Sequence, residues 1–192
     1  MKLGLRSVSM DDISTQLAIS KKTLYQHFTD KDELVDTVLQ SEIGRMQKET
    51  IECMVHAENA IQEVTNTMEM VIKHFTHMNP VIIFDLQKYH FNSFGKFMDH
   101  KNKFILDIIS KNLIRGIEEG VYRSDINVDV LAKFRLESMM IAFNIDLFPN
   151  EKYNLAEVSV AIIENFLYGV ATEKGFQLIE SYKTNRIKNN TV

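Results

Sequence analysis

The chain has one cysteine, two prolines, seven glycines and no tryptophan. A single thiol, Cys53, excludes an intrachain disulfide framework and suits a reducing cytosol. So little proline and glycine points to long helices with short connections, an all-α chain. No apolar run approaches the roughly 18 residues of a membrane span, and no basic-then-apolar leader opens the sequence. No Gly-rich phosphate loop, cysteine cluster or His-Glu-x-x-His is present, so no enzyme, resident cofactor or metal is expected. Glu52 and His56 are wrongly spaced for the Glu-x-x-His pairs of a di-iron bundle, and His74 with His77 lacks a carboxylate or thiolate at matching spacing. Nor is the chain a polycation. Its net charge is −4 over 192 residues, so affinity for nucleic acid would have to be local.

What is there begins with Ser20-Lys21-Lys22-Thr23-Leu24-Tyr25-Gln26-His27-Phe28. Read as a helix, Leu24 and Phe28 form one apolar stripe. Lys22 and Gln26 lie almost opposite, flanked by Tyr25 and Thr23. Ser20 caps the helix, and no carboxylate stands at the third helical position, so the positive helix end and two lysines are free for an anion such as phosphate. Between Asp12 and Asp30 there is no acid, and residues 1–31 carry five basic and three acidic groups. A net of +2 is a weak field, so specific binding should need two copies acting together. Just upstream, Ser9-Met10-Asp11-Asp12 fits a capping box, and Met10, Ile13 and Leu17 recur at helical spacing. Two short helices with only Ala18-Ile19-Ser20 between them make a helix-turn-helix plan.

The stretch SVSMDDISTQLAISKKTLYQHFTDKDELV resembles the DNA-binding signature of the TetR family of bacterial transcription regulators. Its most specific part is TLYQHF, followed by Lys31 and Leu34, and the likeness spans roughly residues 4–39, about a fifth of the chain. The resemblance implies that Ser20 to His27 is a recognition helix for the major groove of an operator. Lys22, Tyr25 and Gln26 would face bases and backbone. Lys21, Thr23, His27 and Lys31 would hold phosphates, with Ser9 and Ser20 completing the DNA-contact set. Several positions depart from the family. Its usual turn glycine is Ala18 here, which must take a left-handed conformation at some cost. Lys22 replaces a small residue, and Ser14 and Leu17 stand where alanine is common. Family members also carry a helix before the position of Gly4, where only Met1, Lys2 and Leu3 stand. The natural protein is therefore expected to be longer.

Downstream, a long helix starts at Thr29–Glu33 and runs into the fifties, a second spans about Ala57 to Met78, and Pro80 opens a shorter one that ends near Asn92 to Gly95. Lys101 to Glu119 is amphipathic and closes at Gly120, and Asn127 or Asp125 caps the next helix. Residues 128–148 and 155–170 are apolar over more than one face, which suggests full burial and a subunit interface. In TetR-like proteins the last two long helices pair with their mates, which assigns Phe134, Ile141, Val158, Ile162, Phe166 and Val170 to a homodimer contact. A final helix is expected to break near Gly175, with a frayed tail over Lys183–Val192. The chain divides into a head, 1–46, and an effector-binding and dimerisation body, 47–192.

His74, Phe75, Met78, Phe84, Tyr89, Phe94, Phe97, Phe104, Met139 and Phe143 are the residue types that line adaptable apolar pockets. The family habit of binding a small, often lipophilic effector in this region gives them that assignment. The reading is a cytoplasmic homodimeric repressor, released from a pseudo-palindromic double-stranded operator by a small molecule, with no membrane partner. The rival is a helical dimer that has lost DNA binding and serves as a small-molecule or protein-binding module.

Overall fold

The computed structural model describes residues 4–189 of the backbone, with side chains to residue 184. Ten α-helices account for most of the described residues: α1 Met10–Gln16, α2 Lys21–His27, α3 Lys31–Val55, α4 Ala60–Phe75, α5 Val81–Tyr89, α6 Phe91–Asp99, α7 Leu106–Glu118, α8 Val128–Ile141, α9 Leu155–Val170 and α10 Glu173–Asn189. A 3-10 turn, Leu5–Ser7, precedes α1. One isolated antiparallel bridge, Tyr122 to Ala171, is the only extended pairing among the described residues.

Local chemistry sets the head. Ser9 and Asp12 form the expected reciprocal capping box, and Ser20 accepts from the Thr23 amide at 3.0 Å. Between the two helices Ala18 sits at φ 54°, the left-handed conformation the turn demands. An L-residue there costs roughly 1–2 kcal/mol, while glycine adds only its own entropy cost. Ala18→Gly is therefore expected to raise stability by about 0.5–1 kcal/mol, read as a higher urea midpoint at unchanged slope. Leu24, 2% exposed, is the head's anchor, with Met10, Ser14 and Val35 also buried.

The long α3 runs from this head into the body. There Ile61 and Val71 of α4, Leu113 of α7, Tyr122, and Ile163, Leu167 and Val170 of α9 make the main core. A smaller cluster joins Ala142, Leu155 and Val158 to Phe75, Met78, Phe143 and Phe148. Gly120, at φ 69°, closes α7, and Asn127 caps α8 by accepting from the Val130 amide.

Three sequence expectations need correction. Asn92 to Gly95 does not end a helix. The chain breaks at His90 and restarts as α6, which passes through a π-helical stretch, His100–Ile105, directly into α7. Asn, Ser and Gly are poor helix formers, but Ser93 is buried with its hydroxyl donating to Asp36, so packing against α3 outweighs propensity. Gly175 does not break the last helix. It lies inside α10, where a Cβ would come 2.1 Å from the Val121 carbonyl oxygen, so its role is close approach. The break falls at Ala171–Thr172, where the bridge to Tyr122 forms. Finally, α8 is not buried all round: Val130, Phe134 and Ile141 are 56%, 58% and 43% exposed. The tail from Lys183 is helical as far as Asn189, the last residue of α10; residues 190–192 lie outside the described residues, as do Met1 to Leu3.

Candidate functional site

Helix α2 presents Lys22, Tyr25, Gln26 and His27 outward, all exposed, with Leu24 turned to the core. Neither Lys22 nor Gln26 makes a hydrogen bond or ion pair among the described residues. Thr23 is held inside the cap, its Oγ1 2.7 Å from the Ser20 hydroxyl. Ser9 is exposed but committed to Asp12, whose carboxylate these bonds hold below the usual range. Lys21 lies 2.6 Å from Asp11, and that hydrogen bond pushes the pKa of its ammonium up. Both partners are well exposed, and such pairs exchange readily for a phosphate. Lys31, expected to hold a phosphate, is engaged within the chain. It is half-buried and donates to the Leu5 carbonyl at 2.6 Å, tying the segment before α1 to the start of α3.

The head is latched to α5 and α6. The Arg6 amide donates to Asp85 at 3.0 Å, and its guanidinium lies 5.5 Å from the Tyr89 ring. His90 pairs with Asp32, and Lys96 reaches Asp36 at 2.6 Å, holding that carboxyl below its ordinary value. These contacts join the N-terminal head to the segment that walls the body's cavity.

That cavity measures about 700 Å³. Its walls come from both parts: Leu5, Val8, Ile13 and Leu34 on the head side, and Phe75, Ile82, Phe97, Met139 and Phe143 on the body side. Of the residues assigned to a ligand from sequence, Phe75, Met78, Phe97, Met139 and Phe143 line it. His74, Phe84, Tyr89, Phe94 and Phe104 do not. The His74 imidazole is bound to Glu49 at 2.5 Å on the α3–α4 seam, Phe84 is 54% exposed, and Tyr89 stacks under Arg6. Phe94 packs on Phe97, and Phe104 stacks on His100.

The sequence reading missed His100, Lys101 and Ile105, which the π-helical stretch turns into the cavity, and Arg135 of α8. A π-turn shifts side chains off the helical register, and such turns recur at functional sites. Sequence reading gave the charged residues of these helices no role, and only their burial reveals them. Burial also holds the His100 imidazole below its usual value.

The residues assigned to a dimer contact fall into different places. Phe134 and Ile141 are exposed, Phe166 is half-buried beneath Phe134 with ring centroids 6.4 Å apart, and Ile162 lines the cavity. Val158 and Val170 are 8% and 2% exposed within the single chain, so they offer no surface to a second copy. Helix α9 packs against α4, which is what claims them.

Residues 2–38 match the model described as "Bacterial regulatory proteins, tetR family". The transcriptional repressor KstR2 of Mycobacterium tuberculosis is 26% identical over 136 residues, 68% of this chain and 67% of the relative. The solved structure of that organism's KstR2, a ketosteroid transcriptional regulator, superposes with a TM-score of 0.64 at 21% identity, covering 88% of this chain and 87% of the other. The regulator FadR from Bacillus subtilis, in complex with stearoyl-CoA, gives a TM-score of 0.63 at 14% identity, covering 87% and 91%. No helix among the described residues is long and apolar enough to cross a membrane. With its capped helix-turn-helix head, its all-helical body and these relatives, the chain belongs to the TetR family and is a DNA-binding transcription regulator, not an enzyme.

Proposed function

We propose that this protein is a cytoplasmic homodimeric repressor whose paired α2 helices enter successive major grooves, about 34–36 Å apart, and which an apolar effector releases. Residues 1–46 form the reading head and 47–192 the sensing and pairing body, with α3 crossing between them. The observation that carries the reading is the cavity walled from both sides. A molecule seated between Ile13 and Leu34 of the head and Phe75 and Phe97 of the body contacts both, so its affinity depends on how the two are set. A ligand shifts a conformational equilibrium only through such differential contacts. KstR2 is named as a repressor, and FadR was solved with a small molecule bound, which supports a repressor of this kind.

Pairing through α8 is supported by Val130, Phe134 and Ile141, which fall on one stripe and stay exposed in the single chain. Exposed contiguous apolar surface of this kind marks a protein contact. The engagement of Lys31 by Leu5 favours the second reading, a ligand-binding dimer without DNA.

The test is fluorescence anisotropy of the purified chain with duplexes from the region upstream of its own gene, over a range of salt. Binding is expected to weaken linearly in log–log form as salt rises. Phe134→Asp should yield a monomer by light scattering and lose most operator affinity while keeping its helical circular dichroism. A wild-type dimer that ignores all such duplexes at low salt would leave the second reading standing.

A further inference from the structure

The cavity carries several charged side chains, and all but one are answered within the chain. Lys101, 6% exposed, donates to both carboxylate oxygens of Glu137 at 2.7 and 2.8 Å. Lys31 bonds the Leu5 carbonyl, and Glu42 pairs with Arg45. Arg135 is 7% exposed and lines the same cavity, yet its guanidinium makes no hydrogen bond or ion pair among the described residues. Its Nη1 is fully covered and has no partner. The neighbours it does have are poor answers to a charge. The Phe166 ring lies 5.7 Å from Cζ, and the Tyr122 phenol is kept neutral because burial pushes its ionisation far up. Burial also pulls Arg135 down to about 10, which still leaves it a cation at neutral pH.

A desolvated cation without an anion is among the least favourable arrangements a protein core can hold. Its planar fork has the donor geometry that a carboxylate matches. We infer that Arg135 is the anchor for the head group of the effector, which is an apolar carboxylic acid whose hydrocarbon part lies among Phe75, Phe97, Met139 and Phe143. This rests on the cavity being the effector site, as proposed above. Around Phe75, Phe97, Met139 and Phe143 the walls are hydrocarbon and aromatic, so the acid's body needs no further polar group there. Pairing removes the charge imbalance only in the arrangement that keeps Arg135 on the cavity wall, and a neutral analogue of the same length forgoes that gain.

Isothermal titration calorimetry of the full chain with dodecanoate, dodecanol and dodecyltrimethylammonium, each below its micelle concentration, separates these terms. Dodecanoate is expected to bind about tenfold or more tighter than dodecanol, with the cation weakest. Arg135→Met should bind dodecanol as the wild type does and lose the preference for the acid. Its ligand-free thermal midpoint should be no lower than wild type, because an unanswered charge has been replaced by a thioether of similar length. Equal binding of acid and alcohol to the wild type, which needs no variant, overturns the anchor and leaves the cavity reading intact. A Met variant that keeps the acid preference does the same. If none of the amphiphiles binds, the anchor and the cavity's role as effector site fall together.

Discussion

Gly116→Ala is expected to destabilise the protein by about 3–5 kcal/mol, against a total of roughly 5–15 kcal/mol for a domain of ordinary stability. Gly116 is buried in α7, and a Cβ there would fall 1.9 Å from Cδ2 and 2.3 Å from Cε2 of Tyr122. The ring has nowhere to go. Its hydroxyl donates to Asn112 Oδ1 at 3.1 Å and reaches the Ala60 carbonyl at 3.3 Å, while Asn112 Nδ2 donates to the same carbonyl at 3.0 Å. The Val121 and Tyr122 amides both donate to the Gly116 carbonyl at 2.9 Å, so the backbone is held as well. Overpacking alone costs about 1–3 kcal/mol, and displacing the ring strands buried polar groups at about 1–3 kcal/mol each. The gain in helix propensity from glycine to alanine, about 1 kcal/mol, is too small to offset this.

Gly44 and Gly95 supply the control, since neither has anything within 4 Å of an added Cβ. Gly44→Ala and Gly95→Ala should each raise stability by up to about 1 kcal/mol. Urea denaturation followed by circular dichroism reads all three. A Gly116→Ala midpoint equal to wild type would mean that the Tyr122 ring is not fixed by its hydrogen bonds.

How much of this was legible in the sequence follows from how far each signal reaches. The head's signals are local. Ser9 with Asp12, Ser20 with Thr23, and Asp30 at the start of α3 are caps fixed within four residues, so the sequence alone identifies both short helices. Ala18 was legible through the resemblance alone, because it stands at the family's usual turn glycine and so must take the left-handed conformation it shows. Packing partners are not local. Phe84 and Phe75 are the same residue type at helical spacing, yet one is 54% exposed and the other walls the cavity; only the position of α5 against the head decides it. Val170 and Phe134 show the same limit from the interface side. Periodicity marks both as apolar, but whether the second surface is α4 of the same chain or a second copy is set by tertiary arrangement. Arg135 lay furthest from view, since a cation between Phe134 and Leu136 on an amphipathic helix is ordinarily a solvent residue.

Substituting Gln26 or Lys22 with alanine should cost operator affinity by about 1–3 kcal/mol per half-site, and the proposed dimer doubles it. A loss of about 2–6 kcal/mol corresponds to a weakening of about 30-fold to 10⁴-fold. Both side chains are exposed on α2 and unengaged among the described residues, so their removal should leave the thermal midpoint unchanged while flattening the ranking of operator variants. Lys21→Ala makes the contrasting case. Its partner Asp11 is a surface neighbour, so the ammonium can transfer to a phosphate, and its loss should weaken every sequence alike and reduce the salt slope by about one per subunit. Lys31→Ala should act by a third route. With Nζ spent on the Leu5 carbonyl, its removal loosens the segment before α1, lowering the stability of the head with the salt slope kept. On the proposed reading, three lysines within eleven positions separate into base reading, charge and architecture. Measuring the ranking, the slope and the midpoint for each variant distinguishes them. Should Lys22→Ala and Lys21→Ala prove alike in all three, α2 would be holding the duplex without reading it.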